Sequence, residues 1–198
     1  MGALDTQVSE GLPRVAGWLR ELRNVPSSRL HARRRRAAQL RLENVRPRSI
    51  LFVCHGNICR SPFAAAAFVR SCPAHIANSI SVASAGFIGP DRPPPSKALA
   101  AASRLGVDIS AHRSALVTLD AVQTSDLVVV MSEDQEREIR ARVAPTTVVL
   151  ILGDLDPLPA SRRTIVDPWG APDATFDASY DRIERCVREL ARIIASAD

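Results

Sequence analysis

The chain has 198 residues, 46% of them hydrophobic but only 4% aromatic, and a formal net charge of +5. That length suits one domain with an appendage, and Ala, Val, Leu and Ile must fill its core. No apolar run approaches the roughly 18 residues of a membrane span, and Asp5 and Glu10 interrupt the N-terminal stretch, which argues against a secretory signal. Met1-Gly2-Ala3-Leu4-Asp5-Thr6 fits the short myristoylation pattern, which many chains match by chance.

The charge is unevenly placed. Residues 1–48 hold 11 Arg against 4 acids, a balance of +7, whereas residues 49–198 hold 15 basic and 17 acidic residues, a balance of −2. The basicity therefore belongs to an N-terminal extension and not to the part that follows. Within 6–24, Leu12, Val15, Ala16, Leu19 and Leu22 recur at helical spacing. Asn24-Val25-Pro26-Ser27-Ser28 breaks the pattern, and 29–44 reads as a second helix containing Arg33-Arg34-Arg35-Arg36, ended by Pro47. Residues 1–48 thus read as a basic extension, helical or partly disordered. One use is a solvated segment; the other is an electrostatic arm for an anionic surface through residues 29–48. Nucleic-acid binding is not expected, because the charge lacks interleaved aromatics and a recognition fold.

From residue 49 the pattern is regular. Residues 49–54 read as a strand and 61–71 as a helix. Ser79–Ser84 reads as a second strand, followed by Ala85-Gly86. A proline-rich loop, Gly89–Pro95, leads to a helix over 96–105, with Gly106 placed to end it. Asp126–Met131 is an apolar run suited to a strand buried on both faces. Ser132 is a helix N-cap with acids behind it. Thr147–Leu152 reads as a further strand and Asp177–Ala195 as a long amphipathic helix. Alternating strands and helices predict an α/β fold with a parallel sheet, whose ligands bind at the carboxyl ends of the strands.

Cys54 stands at such an end, in Val53-Cys54-His55-Gly56-Asn57-Ile58-Cys59-Arg60-Ser61-Pro62. Gly56 and Asn57 permit a tight turn with positive φ, so that successive amides point inward. Ser61 opens a helix whose N-terminus adds positive potential. Arg60 offers a planar fork for two phosphate oxygens. A thiolate beneath that loop is the form such donors stabilise. The loop is therefore read as a phosphate cradle, His55 to Arg60, with a nucleophile in its floor. Cys59 is either a packing residue or a partner that forms a reversible disulfide with an oxidised Cys54. Cys72 and Cys186 fall in helical stretches. With no Cys-x-x-Cys pair and scattered histidines, neither a metal site nor a disulfide framework is expected, and the thiols point to a cytoplasmic protein.

This string closely resembles the signature of the low-molecular-weight protein tyrosine phosphatases. The likeness continues through Ser84-Ala85-Gly86, Gly106–His112, Asp126–Met131, Ile151–Pro157 and Ile165-Val166-Asp167-Pro168-Trp169, and covers about 49–196. The resemblance implies a three-layer fold with a four-stranded parallel sheet and helices on both faces, Rossmann-like and of the phosphotyrosine phosphatase I type. Residues 49–198 would then be the phosphatase domain. It also implies catalysis without a cofactor: Cys54 attacks phosphorus, Arg60 and the loop amides hold the oxygens, and an aspartate protonates the leaving phenolate. Asp167 is assigned that role because the family's acid sits in an Asp-Pro-aromatic motif; Asp156-Pro157 is the rival, but Leu158 follows it. By position, Ser61 resembles the serine that bonds the thiolate, and Asn57, Ser84 and His112 the network that shapes the loop. His55, Trp169 and Phe87 are candidates for the pocket walls.

The resemblance implies a phosphotyrosine protein as substrate. A tyrosine kinase of surface-polysaccharide export is a common bacterial partner in this family, and one Lys against 25 Arg fits a GC-rich bacterial genome. Activity on aryl phosphates is expected to peak at acidic to near-neutral pH. Two other activities share the loop. Protein-arginine phosphatases carry Thr where this chain has Ile58. Thioredoxin-coupled arsenate reductases need two further, closely spaced cysteines, which Cys72 and Cys186 are not.

Overall fold

The computed structural model describes residues 27–43, 45–142 and 147–196; the helix read over 6–24 lies outside them. Four parallel strands form one sheet in the order β2-β1-β3-β4. They are β1 Ser49–Cys54, β2 Ser81–Gly86, β3 Leu127–Val130 and β4 Val148–Ile151. β1 lies between β2 and β3, pairing Cys54 with Gly86 and Val53 with Val130. The chain leaves β1 toward one side of the sheet and later crosses to the other. The carboxyl end of β1 is thus the topological switch point, where a crevice opens in such sheets.

Strand alternation builds the two cores. Ile50, Phe52 and Cys54 face one apolar layer, and Leu51 and Val53 face the second. This is why β1 reads as a continuous apolar run. The first layer is covered by α1 Ser27–Glu43, α2 Arg60–Ser71, α3 Ala74–Ser79, α4 Ser96–Arg104 and α7 Asp173–Ser196. The second is covered by α5 Leu119–Gln123 and α6 Glu133–Arg140, through Val122 and Ile139. Ser132 caps α6 by accepting from the Gln135 amide, as its sequence predicts. A 3-10 turn, Leu152–Leu155, follows β4.

The differences from the sequence reading are largest at β2 and at the long C-terminal helix. β2 begins two residues later than expected, because Pro73 starts the short helix α3: its carbonyl accepts from the Ile76 and Ala77 amides. Proline at a helix start loses no hydrogen bond and pre-sets φ. As a result Ser84-Ala85-Gly86 is the end of the strand itself and stands beside Cys54. The long helix α7 begins at Asp173, four residues earlier than expected, just after Pro172. Its apolar stripe, including Tyr180, Ile183, Cys186, Val187 and Leu190, is buried as the 3.6-residue period requires.

The basic helix α1 is docked on the rest of the chain. Ala38 and Leu42 enter the first core layer, His31 is buried, and Arg35 and Gln39 both bond Glu189 of α7. Among the described residues no helix is long and apolar enough to cross a membrane.

Candidate active site

The loop between β1 and α2 is held from outside by its carbonyl groups. His55 O accepts from the Phe87 amide at 2.8 Å, and Gly56 O from Arg92 Nη2 at 2.8 Å. Asn57 O accepts from His112 Nε2 at 2.7 Å, and Cys59 O from the Tyr180 hydroxyl at 2.9 Å. With these carbonyls directed outward, the amides turn toward the loop's centre, which forms an anion-binding nest. Asn57 has φ +52°, a conformation that costs a non-glycine residue roughly 1–2 kcal/mol. Its side chain offsets that cost with three bonds. Nδ2 donates to Ser61 Oγ and to Ser84 Oγ, each at 2.9 Å, and Oδ1 accepts from the Ala115 amide at 2.8 Å.

Cys54 lies in the floor, 2% exposed. Its sulfur accepts from the Asn57 amide at 3.3 Å and from Ser61 Oγ at 3.1 Å. Gly86 is required at the edge of this floor: a Cβ there would stand 2.7 Å from the Asn57 nitrogen. Cys59, at the N-cap of α2, has its thiol pushed up to about 12, by burial first and then by the charges of Cys54 and Asp167. It stays protonated at neutral pH, so it does not compete for a bound phosphoryl group. Burial likewise holds the His112 imidazole below its ordinary value, leaving a neutral ring that donates from Nε2.

Arg60 is 3% exposed. Its Nη1 donates to Ile165 O at 3.1 Å and its Nη2 bonds Asp167 Oδ2, while Nε is buried without a protein partner. A residue 107 positions away is thus brought to the loop's mouth. The Asp167 side chain is 40% exposed and accepts from the Trp169 amide. The rival, Asp156, is buried outside the pocket, and its carboxylate is occupied by Arg182 and Arg185.

One small pocket is lined by Cys54, His55, Gly56, Ile58, Cys59, Asp167 and Trp169, together with Ile88 and Arg92. The pocket assignment of Phe87 is corrected: its ring packs with the second core layer and lies under the Arg142 guanidinium, at 5.7 Å. Its neighbour Ile88, in the bend that follows β2, takes the place at the wall. Ser61, Asn57, Ser84 and His112 stand behind the loop, where their bonds hold it. Ile88, Arg92 and Tyr180 escaped the sequence reading. Tyr180 had a signal: it is the only tyrosine, it falls on a buried helix stripe, and a buried hydroxyl needs a partner. Arg92 had none, since nothing local links it to a carbonyl 36 residues earlier. Among the described residues no three His, Cys, Asp or Glu side chains gather as a metal site needs.

A buried thiol under converging amides at a sheet's switch point, with an arginine and a carboxylate beside it, is the arrangement of a phosphate-binding site. The family model for low molecular weight phosphotyrosine protein phosphatases matches residues 49–197, and the chain belongs to that family of phosphoric monoester hydrolases. It is 36% identical over 143 residues to a probable low molecular weight protein-tyrosine-phosphatase, EpsP, of Ralstonia nicotianae, covering 71% of this chain and 91% of that one. The crystal structure of the tyrosine phosphatase Wzb from Escherichia coli K30, in complex with sulphate, superimposes with a TM-score of 0.65 at 26% identity, covering 74% of this chain and 97% of that one. The YwlE arginine phosphatase of Geobacillus stearothermophilus shares the fold, with a TM-score of 0.60 at 24% identity over 76% of this chain and 94% of that one.

Proposed function

We propose that this chain hydrolyses phosphotyrosine in proteins through a cysteinyl-phosphate on Cys54. The observation that carries the mechanism is that Cys54 and Asp167 line one pocket and that buried Arg60 bonds the Asp167 carboxylate there. The phosphate dianion enters the nest and takes over the Arg60 guanidinium, which releases the Asp167 carboxyl toward the leaving group. Cys54 Sγ attacks phosphorus as the aryl P–O bond breaks, and protonated Asp167 gives its proton to the phenolate oxygen. The inward amides and Arg60 hold the equatorial oxygens as charge spreads over them. Asp167, now a carboxylate, takes a proton from water. The water oxygen bonds phosphorus, the P–S bond breaks, and inorganic phosphate leaves with the thiolate restored.

Ile58, Ile88 and the 62%-exposed Trp169 give the pocket apolar walls that suit a phenyl ring better than a guanidinium. His55 lies at its rim. The reading is tested with phosphotyrosine, phosphoarginine and phosphoserine peptides of one sequence. Preference for phosphotyrosine supports it, and preference for phosphoarginine replaces it with the alternative that Ile58 speaks against.

Four further assignments belong to this reading. A bacterial tyrosine kinase of surface-polysaccharide export is a fitting phosphoprotein partner, and the free thiols suit the cytoplasm. Cys59 is the resolving thiol: peroxide converts the Cys54 thiolate to a sulfenic acid, which condenses with the Cys59 thiol to a disulfide and water. Unchanged thiol-dependent recovery in Cys59→Ser would remove that role. Finally, α1 turns Arg29, Arg33 and Arg36 outward, a stripe suited to an anionic surface. Equal binding of the wild type and an Arg29→Gln/Arg33→Gln/Arg36→Gln variant to anionic vesicles would dismiss it.

A further inference from the structure

We propose that helix α1, which precedes the family's domain, is a positioning element for the Asp167 loop. It acts through His31 and Arg34. The inference rests on Asp167 being the proton donor.

The connection can be followed bond by bond. Buried His31 donates from Nε2 to Asp156 O at 2.9 Å. The Asp156 carboxylate accepts from Arg182 Nε at 3.0 Å and from Arg185 Nη2 at 3.2 Å. Arg182 then reaches forward along the chain: Nη2 donates to Arg162 O at 2.7 Å, and Nη1 to Thr164 O at 3.0 Å. The next residue, Ile165, bonds Met131 O through its amide and Arg60 through its carbonyl. Two residues further on stands Asp167. Arg34 holds the same excursion midway, donating from Nη2 to Ala160 O at 3.1 Å.

The run from Asp156 to Asp167 is irregular backbone. Such a segment is ordered by whatever satisfies its carbonyls. Here α1 supplies two of those donors, and α1 is in turn fixed to α7 by Arg35 and Gln39 on Glu189. A carboxyl must sit within hydrogen-bond reach of the leaving oxygen to protonate it, so small displacements of its loop are felt in the rate. The cradle's carbonyls are held by other partners, namely Arg92, His112 and Tyr180, and Ile165, on which Arg60 rests, is pinned separately by Met131 O. Loosening α1 should therefore weaken proton donation while leaving phosphate binding intact. An effect of α1 confined to global stability would not separate the two.

The test uses the full-length chain with His31→Phe, Arg34→Met and His31→Gln, the last keeping a donor. Asp167→Asn is run alongside. kcat/KM is measured on phenyl phosphate, whose leaving group needs the proton, and on p-nitrophenyl phosphate, whose leaving group scarcely does. Competitive inhibition by inorganic phosphate reports the cradle. For His31→Phe and Arg34→Met the expected loss is about tenfold on phenyl phosphate and less than about twofold on the nitrophenyl ester. Inhibition by phosphate should be unchanged, and His31→Gln should restore the rate. An equal fall on both esters, no fall, or weakened phosphate inhibition would overturn the inference. If Asp167→Asn discriminates between the esters and the α1 variants do not, only the role of α1 is lost. If Asp167→Asn fails to discriminate, the reading of Asp167 falls and takes this inference with it. Should His31→Phe not fold, Arg34→Met decides alone, since its side chain is only half-buried.

Discussion

Asn57 links the cradle to three other parts of the chain: its side chain bonds α2 and β2, and its main chain is held by His112. That dependence makes the loop sensitive to pH. Burial keeps the His112 pKa below its ordinary value of 6.5, so the unfolded chain binds this proton more tightly than the folded one. Stability from the neutral ring is present above about pH 6.5 and is lost as pH falls toward the lowered folded value. Melting temperatures of wild type and His112→Phe should therefore converge between about pH 8 and pH 5. A constant gap would show that His112 does not titrate with folding. At the same scale, Asp167→Asn should slow turnover by roughly 10²–10⁴-fold with little change in phosphate inhibition. Equal loss of both would mean that Asp167 serves binding and not proton transfer.

At the scale of elements, β1, the loop and α2 behave as one unit because Gly86 lets β2 end against them. Gly86→Ala would press a Cβ onto backbone atoms of Gly56 and Asn57, both within 2.9 Å. These are backbone contacts and have no flexible end to yield. The variant should lose inhibition by phosphate together with activity, which distinguishes a distorted cradle from a missing acid; retained phosphate inhibition would contradict this. The sequence made this unit legible. An apolar run, a glycine-asparagine break and a helix start are local signals, and they located Cys54, Arg60 and the turn. It did not reveal that Ser84-Ala85-Gly86 closes the strand, because the helical turn begun by Pro73 consumes residues that also suit a strand. Nor could it place Phe87 and Ile88 on their respective faces, since that choice is set by the residue at which β2 ends.

At the scale of the molecule, the site is assembled from residues that only the fold brings together. Asp167 was found through a motif, whereas Arg92, Tyr180 and the His31–Asp156–Arg182 connection join segments between 26 and 125 residues apart. No periodicity encodes such pairings. Helix α1 shows the limit most clearly: its arginines read as charge for a partner, but Arg34 and Arg35 are spent on the chain's own carbonyls and Glu189. Because the cradle forms only in the folded state, inorganic phosphate should raise the melting temperature, by about 2.7 kcal/mol of stabilisation at a hundredfold excess over its dissociation constant. Arg60→Met should abolish that rise, and an undiminished rise would place the anion elsewhere.

The covalent intermediate offers the most direct test. The chain is mixed with p-nitrophenyl phosphate, quenched within the first turnover and mapped by peptide mass spectrometry. One phosphoryl group is expected on Cys54, accumulating further in Asp167→Asn and absent from Cys54→Ser, which should also be inactive. A phosphoryl group on any other residue, or sustained hydrolysis by Cys54→Ser, would contradict the proposed mechanism.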